Sequence, residues 1–432
     1  MNETGSLRVS PAGALLGELT VPGDKSVSHR AVMLGALAEE MVTVDGFGAS
    51  ADTLATIDAF RRMGVRIDHP ELGHLVIQGV GLRGLRPPDG PIDVGNAGTL
   101  IRLLPGILAG QQGEFVLDGD ESIRSRPMQR IAVPLAEMGV DIQTTDGYPP
   151  VTVRGGGVQP IDYRPPVASA QVKSCVLLAG LHAERGVTVV EEPIPTRDHT
   201  ERLLQRAGVP VDRRPGRVAV SPVRELVLPH VDVPGDFSSA APFIVAATVL
   251  PGSNLTLRGI GINPTRTGLL AVMERMGARV GLFRRRFAGG EPTADIEVRP
   301  AELVAADVTA EIVPSLIDEL PLLVLLASFA HGTTTIRGAG ELRVKESDRI
   351  ASVVAALTAV GAHVRGLDDG FEVRGVPTRL RGGSIDAAGD HRIAMVGAIA
   401  GACSQEGVTI EGSDALGVSF PDFAERLAAV SA

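Results

Sequence analysis

Residues able to hold an anion gather in Gly23-Asp24-Lys25-Ser26-Val27-Ser28-His29-Arg30, directly ahead of the apolar run Ala31-Val32-Met33-Leu34-Gly35-Ala36-Leu37. A glycine turn, a capping carboxylate or hydroxyl and the exposed N–H groups of a helix start form a ready anion site, to which Lys25, Ser26 and Arg30 add charge and donors. Five further stretches vary this device. Gly95-Asn96-Ala97-Gly98-Thr99, ahead of Leu100-Ile101-Arg102, combines two glycines that permit close backbone approach with donors on Asn96 and Thr99. A polar loop follows it, Asp118-Gly119-Asp120-Glu121-Ser122-Ile123-Arg124-Ser125-Arg126-Pro127-Met128, with two arginines able to close over a ligand. Ser169-Ala170-Gln171-Val172-Lys173-Ser174 supplies hydroxyl and amide donors, and Arg197 follows on the loop Pro195-Thr196-Arg197-Asp198-His199-Thr200. His199 reads as a helix-start residue rather than a base, and Gly235-Asp236-Phe237-Ser238-Ser239 with Asn263-Pro264-Thr265-Arg266 reads as mostly structural.

Two stretches bring carboxylates into this cationic set. Ile317-Asp318-Glu319 opens the apolar run 320–330, and a carboxylate aimed into an anion site is costly unless it takes a proton or pairs with a cation, so Asp318 is the candidate base. In Arg343-Val344-Lys345-Glu346-Ser347-Asp348-Arg349, Lys345 and Glu346 form an acid/base pair. Gly389-Asp390-His391-Arg392 offers Arg392 as a fork for carboxylate or phosphate. All three lysines of the chain, Lys25, Lys173 and Lys345, fall in these motifs, where a compact ammonium can donate a proton.

The elements that must position these residues repeat. The six stretches begin near Gly23, Gly95, Ser169, Gly235, Ile317 and Gly389, and each leads into an Ala/Leu/Val-rich helix, a turn and a short β-branched strand such as Val42-Thr43-Val44 or Val408-Thr409-Ile410. In most copies a second helix ends at a glycine, as in Met63-Gly64, Met138-Gly139 and Met276-Gly277, where a left-handed C-cap is expected. The pattern predicts an α/β protein of six β-α-β-α-β-β units, three in each of two similar domains, with the first helices buried because they are apolar nearly all round. The Pro22-Gly23 and Pro234-Gly235 pairs mark the boundaries. One domain is expected over residues 21–234 and the other over 1–20 plus 235–432, with the 7–15 segment pairing with the C-terminal half and the ligand cleft between domains.

Composition excludes several classes. A chain of 432 residues with 44% hydrophobic and 21% charged content is globular rather than disordered. A net charge of -10, only two tyrosines and no tryptophan argue against a nucleic-acid partner. No apolar run is long enough for a membrane span and the N-terminus lacks a signal-peptide pattern, so a cytoplasmic protein without a membrane partner is expected. Cys175 and Cys403 lie in apolar helical patterns and read as core thiols. No spacing of Cys, His and acid marks a metal site and no Walker or G-x-S-x-G motif occurs, so no metal and no cofactor is expected.

Together, Gly23-Asp24-Lys25-Ser26 with Arg30, Gly95-Asn96-Ala97-Gly98-Thr99, Arg126-Pro127-Met128, Ser169-Ala170-Gln171, Val344-Lys345-Glu346-Ser347-Asp348-Arg349 and Gly389-Asp390-His391-Arg392-Ile393-Ala394-Met395 resemble the enolpyruvyl transferase family over nearly the whole chain. The resemblance implies the inside-out α/β barrel domains of that family and two small-molecule substrates, shikimate 3-phosphate and phosphoenolpyruvate, with a monomer expected. It assigns Ser26, Arg30, Ser169, Gln171 and Arg197 to shikimate 3-phosphate. Lys25, Arg126, Arg349 and Arg392 are assigned to phosphoenolpyruvate, with Asn96 and Gly98 lining its pocket and Lys345 among the binding residues. By the same resemblance Asp318 is the base, and Glu346 with Lys25 handles the proton at C3. The branch acting on UDP-N-acetylglucosamine is the nearest alternative, but it usually carries a cysteine in the loop matching 119–127, and this loop has none. A non-catalytic phosphometabolite-binding protein on the same scaffold is a further alternative, disfavoured by the presence of Asp318, Lys345 and Glu346. Two positions depart from part of the family pattern: Val418 stands where one branch has a lysine, and Ala170 replaces a second serine.

Overall fold

A computed structural model describes residues 5–432. The chain forms two compact units, one made of Gly23–Pro234 with Phe287–Glu291, the other of the segment ending at Pro22 with Gly235–Arg286 and Pro292–Ala432. They are called here the N-terminal and C-terminal units. Each has its own hydrophobic core.

The N-terminal unit holds three sheets of four strands. In one, Ile92–Asp93 runs parallel to Glu114–Asp118, which pairs antiparallel with Tyr148–Arg154, itself paired with Asp141–Thr145. The helix Gly98–Leu108 links the two parallel strands, and Gln129–Glu137 precedes the hairpin. This is the expected β-α-β-α-β-β unit. The other two sheets repeat it, around the helices Lys25–Leu37 and Ala170–Gly180. His230–Asp232 returns at the end of the unit to lie parallel to Met41–Asp45 and so completes the first sheet.

The C-terminal unit repeats the plan around Phe237–Val249, Leu320–Ala327 and His391–Ala402. The 7–15 segment is not one strand. Pro11 interrupts it, leaving Ser6–Val9 antiparallel to Val408–Glu411 and Leu16–Leu19 parallel to Asn254–Gly261, in two different sheets. The last repeat has no hairpin after its second helix, Phe423–Val430, and Ser6–Val9 occupies that edge instead. Phe423 anchors this helix against Phe243 and Phe420, each at a centroid distance of 5.4 Å, a geometry worth about 0.5–1.5 kcal/mol per pair beyond area burial.

The first helices are interior, as their all-round apolar character requires. Every residue of Leu320–Ala327 is buried, as are Val27 through Leu37. Such helices need small residues where backbones approach. A Cβ on Gly106 would lie 2.2 Å from the carbonyl oxygen of Cys175 in the neighbouring helix, so glycine is required there. The second helices end as expected at left-handed glycines, with φ of 95° at Gly64, 82° at Gly139, 83° at Gly208, 88° at Gly277 and 98° at Gly361. Cys175 and Cys403 are buried and unbridged, and burial pushes both thiols up to about 12, which makes them inert core groups.

Candidate active site

Side-chain caps hold four of the six first-helix starts. Asp24 accepts from Val27 N, Ser169 from Val172 N, Asp236 from Ser238 N and Asp390 from Arg392 N. Each cap satisfies one backbone donor at its helix start.

In the N-terminal unit, Lys25 Nζ sits 2.8 Å from Asp52 Oδ2, which fixes the ammonium at the helix start. Arg30, one turn further in, is only 5% exposed. Its Nε donates to Thr200 Oγ1 at 2.6 Å, Nη2 to Ser174 Oγ at 3.0 Å and Nη1 to the Ser26 carbonyl at 2.9 Å. Burial lowers its pKa to about 10, opposed by the carboxylates of Glu201, Asp24 and Glu291, so it is still a cation at neutral pH; Arg197 is close enough for its charge to add to the lowering. Ser26, Arg30, Ser174 and Arg197 thus belong to one neighbourhood.

A second group joins two other helix starts. Arg126 donates through Nη2 to Asn96 Oδ1 at 2.8 Å and to Ser122 Oγ at 3.1 Å, while Asn96 Nδ2 reaches Asp120 at 2.7 Å. Gly98 faces the Arg126 guanidinium: a Cβ there would lie 2.5 Å from Nη1. Gln171 accepts from Arg102 Nη1 at 2.8 Å and donates to the Gly98 carbonyl at 3.4 Å. Arg102, 8% exposed, is a member that the motif reading missed. Its signal was legible, since a charged residue in the apolar run Leu100-Ile101-Arg102-Leu103-Leu104 must have a polar task.

Lys173 is paired inside the fold. It is 1% exposed and lies 2.8 Å from Glu192 and 2.7 Å from Glu201, with Thr196 O at 3.4 Å. It ties the Ala170–Gly180 helix to the segment that carries Arg197. Removing one partner of such a buried pair costs about 3–5 kcal/mol. His199, read as structural, meets Glu291 Oε1 at 2.8 Å with both side chains 2% exposed.

In the C-terminal unit the carboxylate Asp318 lies in a ring of cations. Arg392 Nη2 is 3.5 Å from Oδ2, Arg349 Nη1 is 3.6 Å and Lys345 Nζ 3.9 Å from Oδ1, and Arg392 Nη1 also donates to the Asp318 carbonyl at 2.9 Å. The Asp318 side chain retains 12% exposure. Arg349 is anchored behind it by Asp390, at 2.8 Å from Nε, and by Glu346, at 2.5 Å from Nη2. Burial works against the Arg349 charge, yet Glu346, Asp390 and Asp318 outweigh it and raise its pKa. Burial likewise works against the Asp390 carboxylate, and the Arg349 charge and hydrogen bond outweigh that and hold its pKa below the usual range.

At the fourth helix start, read as mostly structural, Ser238 joins the group around Arg392. Ser238 Oγ donates to Glu319, accepts from Arg266 Nη2 at 3.0 Å and lies 3.5 Å from Arg392 Nη2. Arg266 in turn meets Asp236 at 2.7 Å. Ser238 and Glu319 thus contact Arg392 alongside Asp318, a contact invisible in a chain reading because Ser238 and Arg392 are 154 positions apart.

Two α/β units of three repeats each, every repeat opening on a polar helix start, with paired cations and a carboxylate among them, define the enolpyruvyl transferase class. A family model described as EPSP synthase (3-phosphoshikimate 1-carboxyvinyltransferase) matches residues 9–427, and the chain belongs to that family. It is 51% identical over 422 residues to the 3-phosphoshikimate 1-carboxyvinyltransferase of Halorhodospira halophila, covering 97% of this chain and 95% of the relative. The enzyme of the same name from Acidithiobacillus ferrooxidans is 52% identical over 415 residues, with coverage of 96% and 95%. Among solved structures, EPSP synthase from Acinetobacter baumannii superposes with a TM-score of 0.88 at 44% identity, covering 99% of this chain and 98% of that one. The enolpyruvyl transferase NikO from Streptomyces tendae shares the fold at 19% identity, with a TM-score of 0.78 over 98% of this chain and 97% of that one.

Proposed function

We propose that the chain transfers the enolpyruvyl group of phosphoenolpyruvate to the 5-hydroxyl of shikimate 3-phosphate and releases inorganic phosphate, with Asp318 as the base. The single observation that carries this assignment is the Asp318 carboxylate, only 12% exposed and within 4 Å of Lys345, Arg349 and Arg392. An anion among three cations fits a group that must take a proton from a neutral hydroxyl beside an anionic co-substrate.

In this reading Arg30, Ser26, Ser169, Gln171 and Arg197 hold shikimate 3-phosphate. Lys25, Arg126, Lys345, Arg349 and Arg392 hold phosphoenolpyruvate, whose pocket Asn96 and Gly98 line. Asp318 removes the 5-hydroxyl proton as the oxygen forms a bond to C2, and a proton is added at C3, giving a tetrahedral adduct. Glu346, aided by Lys25, handles the C3 proton in both directions. The adduct loses a C3 proton, the C2–O bond to phosphate breaks, and the vinyl ether and phosphate are released. The cations act by position and charge, compensating the phosphate and carboxylate of phosphoenolpyruvate as negative charge shifts toward the leaving phosphate.

No described helix is long and apolar enough to cross a membrane; in this reading the protein works on small metabolites as a monomer in the cytoplasm. Phosphate release from purified protein tests the function. It should require both shikimate 3-phosphate and phosphoenolpyruvate and should stay at background when UDP-N-acetylglucosamine replaces the former; release from phosphoenolpyruvate alone would overturn the reading.

A further inference from the structure

A second constellation lies on a sheet of the N-terminal unit, among residues with no part in the transfer reaction. His230–Asp232 runs parallel to Met41–Asp45, which pairs antiparallel with His74–Gln78. The register puts Asp232, Asp45 and His74 in one cross-strand row and His230 beside Thr43 in the row two residues before it, so all five side chains share one face. His230 Nε2 lies 3.0 Å from Asp232 Oδ1 and 3.9 Å from Asp45 Oδ2, and one ligand atom from each of the three residues falls within 4.8 Å of the others. The other oxygen of Asp45 is held by His74 Nδ1 at 2.5 Å.

Thr43 Oγ1 lies 2.8 Å from His230 Nδ1 and 3.5 Å from the Pro229 carbonyl, so it can accept from Nδ1–H and leave Nε2 as the ligand atom. In that tautomer the Nε2 lone pair faces the two carboxylates and can be shared with an ion; with the proton on Nε2 it donates to Asp232 Oδ1 at 3.0 Å instead, so a metal ion and a proton compete for this position. Donor atoms around a tetrahedral ion with bonds of about 2.0–2.1 Å lie roughly 3.3 Å apart, so Asp45, at 3.9 Å from His230 Nε2, would shift inward by about half an ångström on binding. One imidazole with two carboxylates suits a zinc-like ion better than magnesium or calcium, which prefer all-oxygen shells. His74 on Asp45 and Thr43 on His230 are the outer partners such ligands require.

We propose that Asp45, His230 and Asp232 form a surface site for a divalent transition-metal ion of the zinc class, oriented by Thr43 and His74. The ion would fasten the three-residue edge strand His230–Asp232, the last before the chain leaves the unit after Pro234, to its neighbour.

Chelator-stripped full-length protein titrated with Zn2+ by calorimetry, and with Co2+ by its visible absorption, tests this. Wild type should show one saturable site per chain and an unfolding temperature raised by Zn2+. His230→Ala and Asp45→Asn should each abolish binding, while His74→Asn should weaken it about tenfold. His363→Ala, which alters an exposed histidine elsewhere, should leave it intact. Transferase activity should be unchanged in all four variants, showing that they fold. No saturable binding in wild type, as expected if His230 Nε2–H only donates to Asp232, or unaltered binding in both His230→Ala and Asp45→Asn, would overturn the proposal.

Discussion

At the scale of single residues, charge compensation decides what each polar group can do. Asp318 has three cations within 4 Å and partial access to solvent, whereas Asp390 is fully buried and committed to Arg349 and Ser347. The first can exchange a proton with a ligand; the second positions a guanidinium. Asp318→Asn keeps the shape and removes the base, so turnover should fall by about 10²–10⁴-fold with a much smaller change in the KM of either substrate. Steady-state kinetics check this, and unchanged kcat would remove the assigned role. Gly98 is the second residue whose environment makes a definite forecast. A methyl group there meets Arg126 Nη1 at 2.5 Å, and the guanidinium can retreat only by weakening its bonds to Asn96 and Ser122. The family resemblance makes glyphosate an expected inhibitor in the phosphoenolpyruvate pocket. Gly98→Ala should raise its inhibition constant about tenfold or more, the scale of one misplaced methyl, and raise the KM for phosphoenolpyruvate as well. Equal inhibition constants for both forms would contradict this.

At the scale of elements, the interior helices impose a cost that depends on pH. His29 lies inside the Lys25–Leu37 helix, with Nδ1 2.6 Å from Thr56, and His182 follows the Ala170–Gly180 helix; both are about 1% exposed or less. Burial lowers each from 6.5 to about 3, modified at His29 by Asp52, Lys25 and Arg30 and at His182 by Arg83. Between these values the unfolded chain binds protons that the folded chain refuses, so stability falls as pH drops below about 6.5 and the loss levels off near 3. Each histidine contributes up to about 1.4 kcal/mol per pH unit in that window. Urea unfolding followed from about pH 7 to pH 5 should show this slope, and His182→Leu should remove roughly half of it. A stability independent of pH over that range would show that neither histidine stays neutral in the fold.

At the scale of the molecule, two units with separate cores are threaded unequally by one chain. Residues 23–234 are continuous and contain almost the whole of the N-terminal unit, whereas the C-terminal unit is assembled from three segments. A fragment spanning 23–234 should therefore unfold cooperatively, with a midpoint below that of the same unit in the intact chain because His199 loses Glu291. A fragment that lacks a cooperative transition in circular dichroism would show that its core is insufficient alone. The C-terminal segment 235–432 should fold poorly by comparison, since Ser6–Val9 and Leu16–Leu19 supply strands to two of its sheets.

What the sequence by itself determined about this protein was whatever a few neighbouring residues encode. Asp24, Ser169, Asp236 and Asp390 announce helix starts because each accepts a backbone N–H within its own first turn, and Gly64, Gly139, Gly208, Gly277 and Gly361 mark helix ends because only glycine adopts positive φ freely. The repeats, the buried apolar helices and most of the candidate cations were legible for the same reason. Only the tertiary structure decided which of those polar groups meet. Lys173 looks like Lys25 in the chain, yet closure of the fold buries it between Glu192 and Glu201, and Ser238 joins Arg392 across 154 positions. Pairing of Ser6–Val9 with Val408–Glu411 and the meeting of Asp45 with His230 and Asp232 likewise arise from strand register between distant segments. No local periodicity records such contacts, because their energy comes from desolvation and charge pairing that exist only after the sheets and interior helices have assembled.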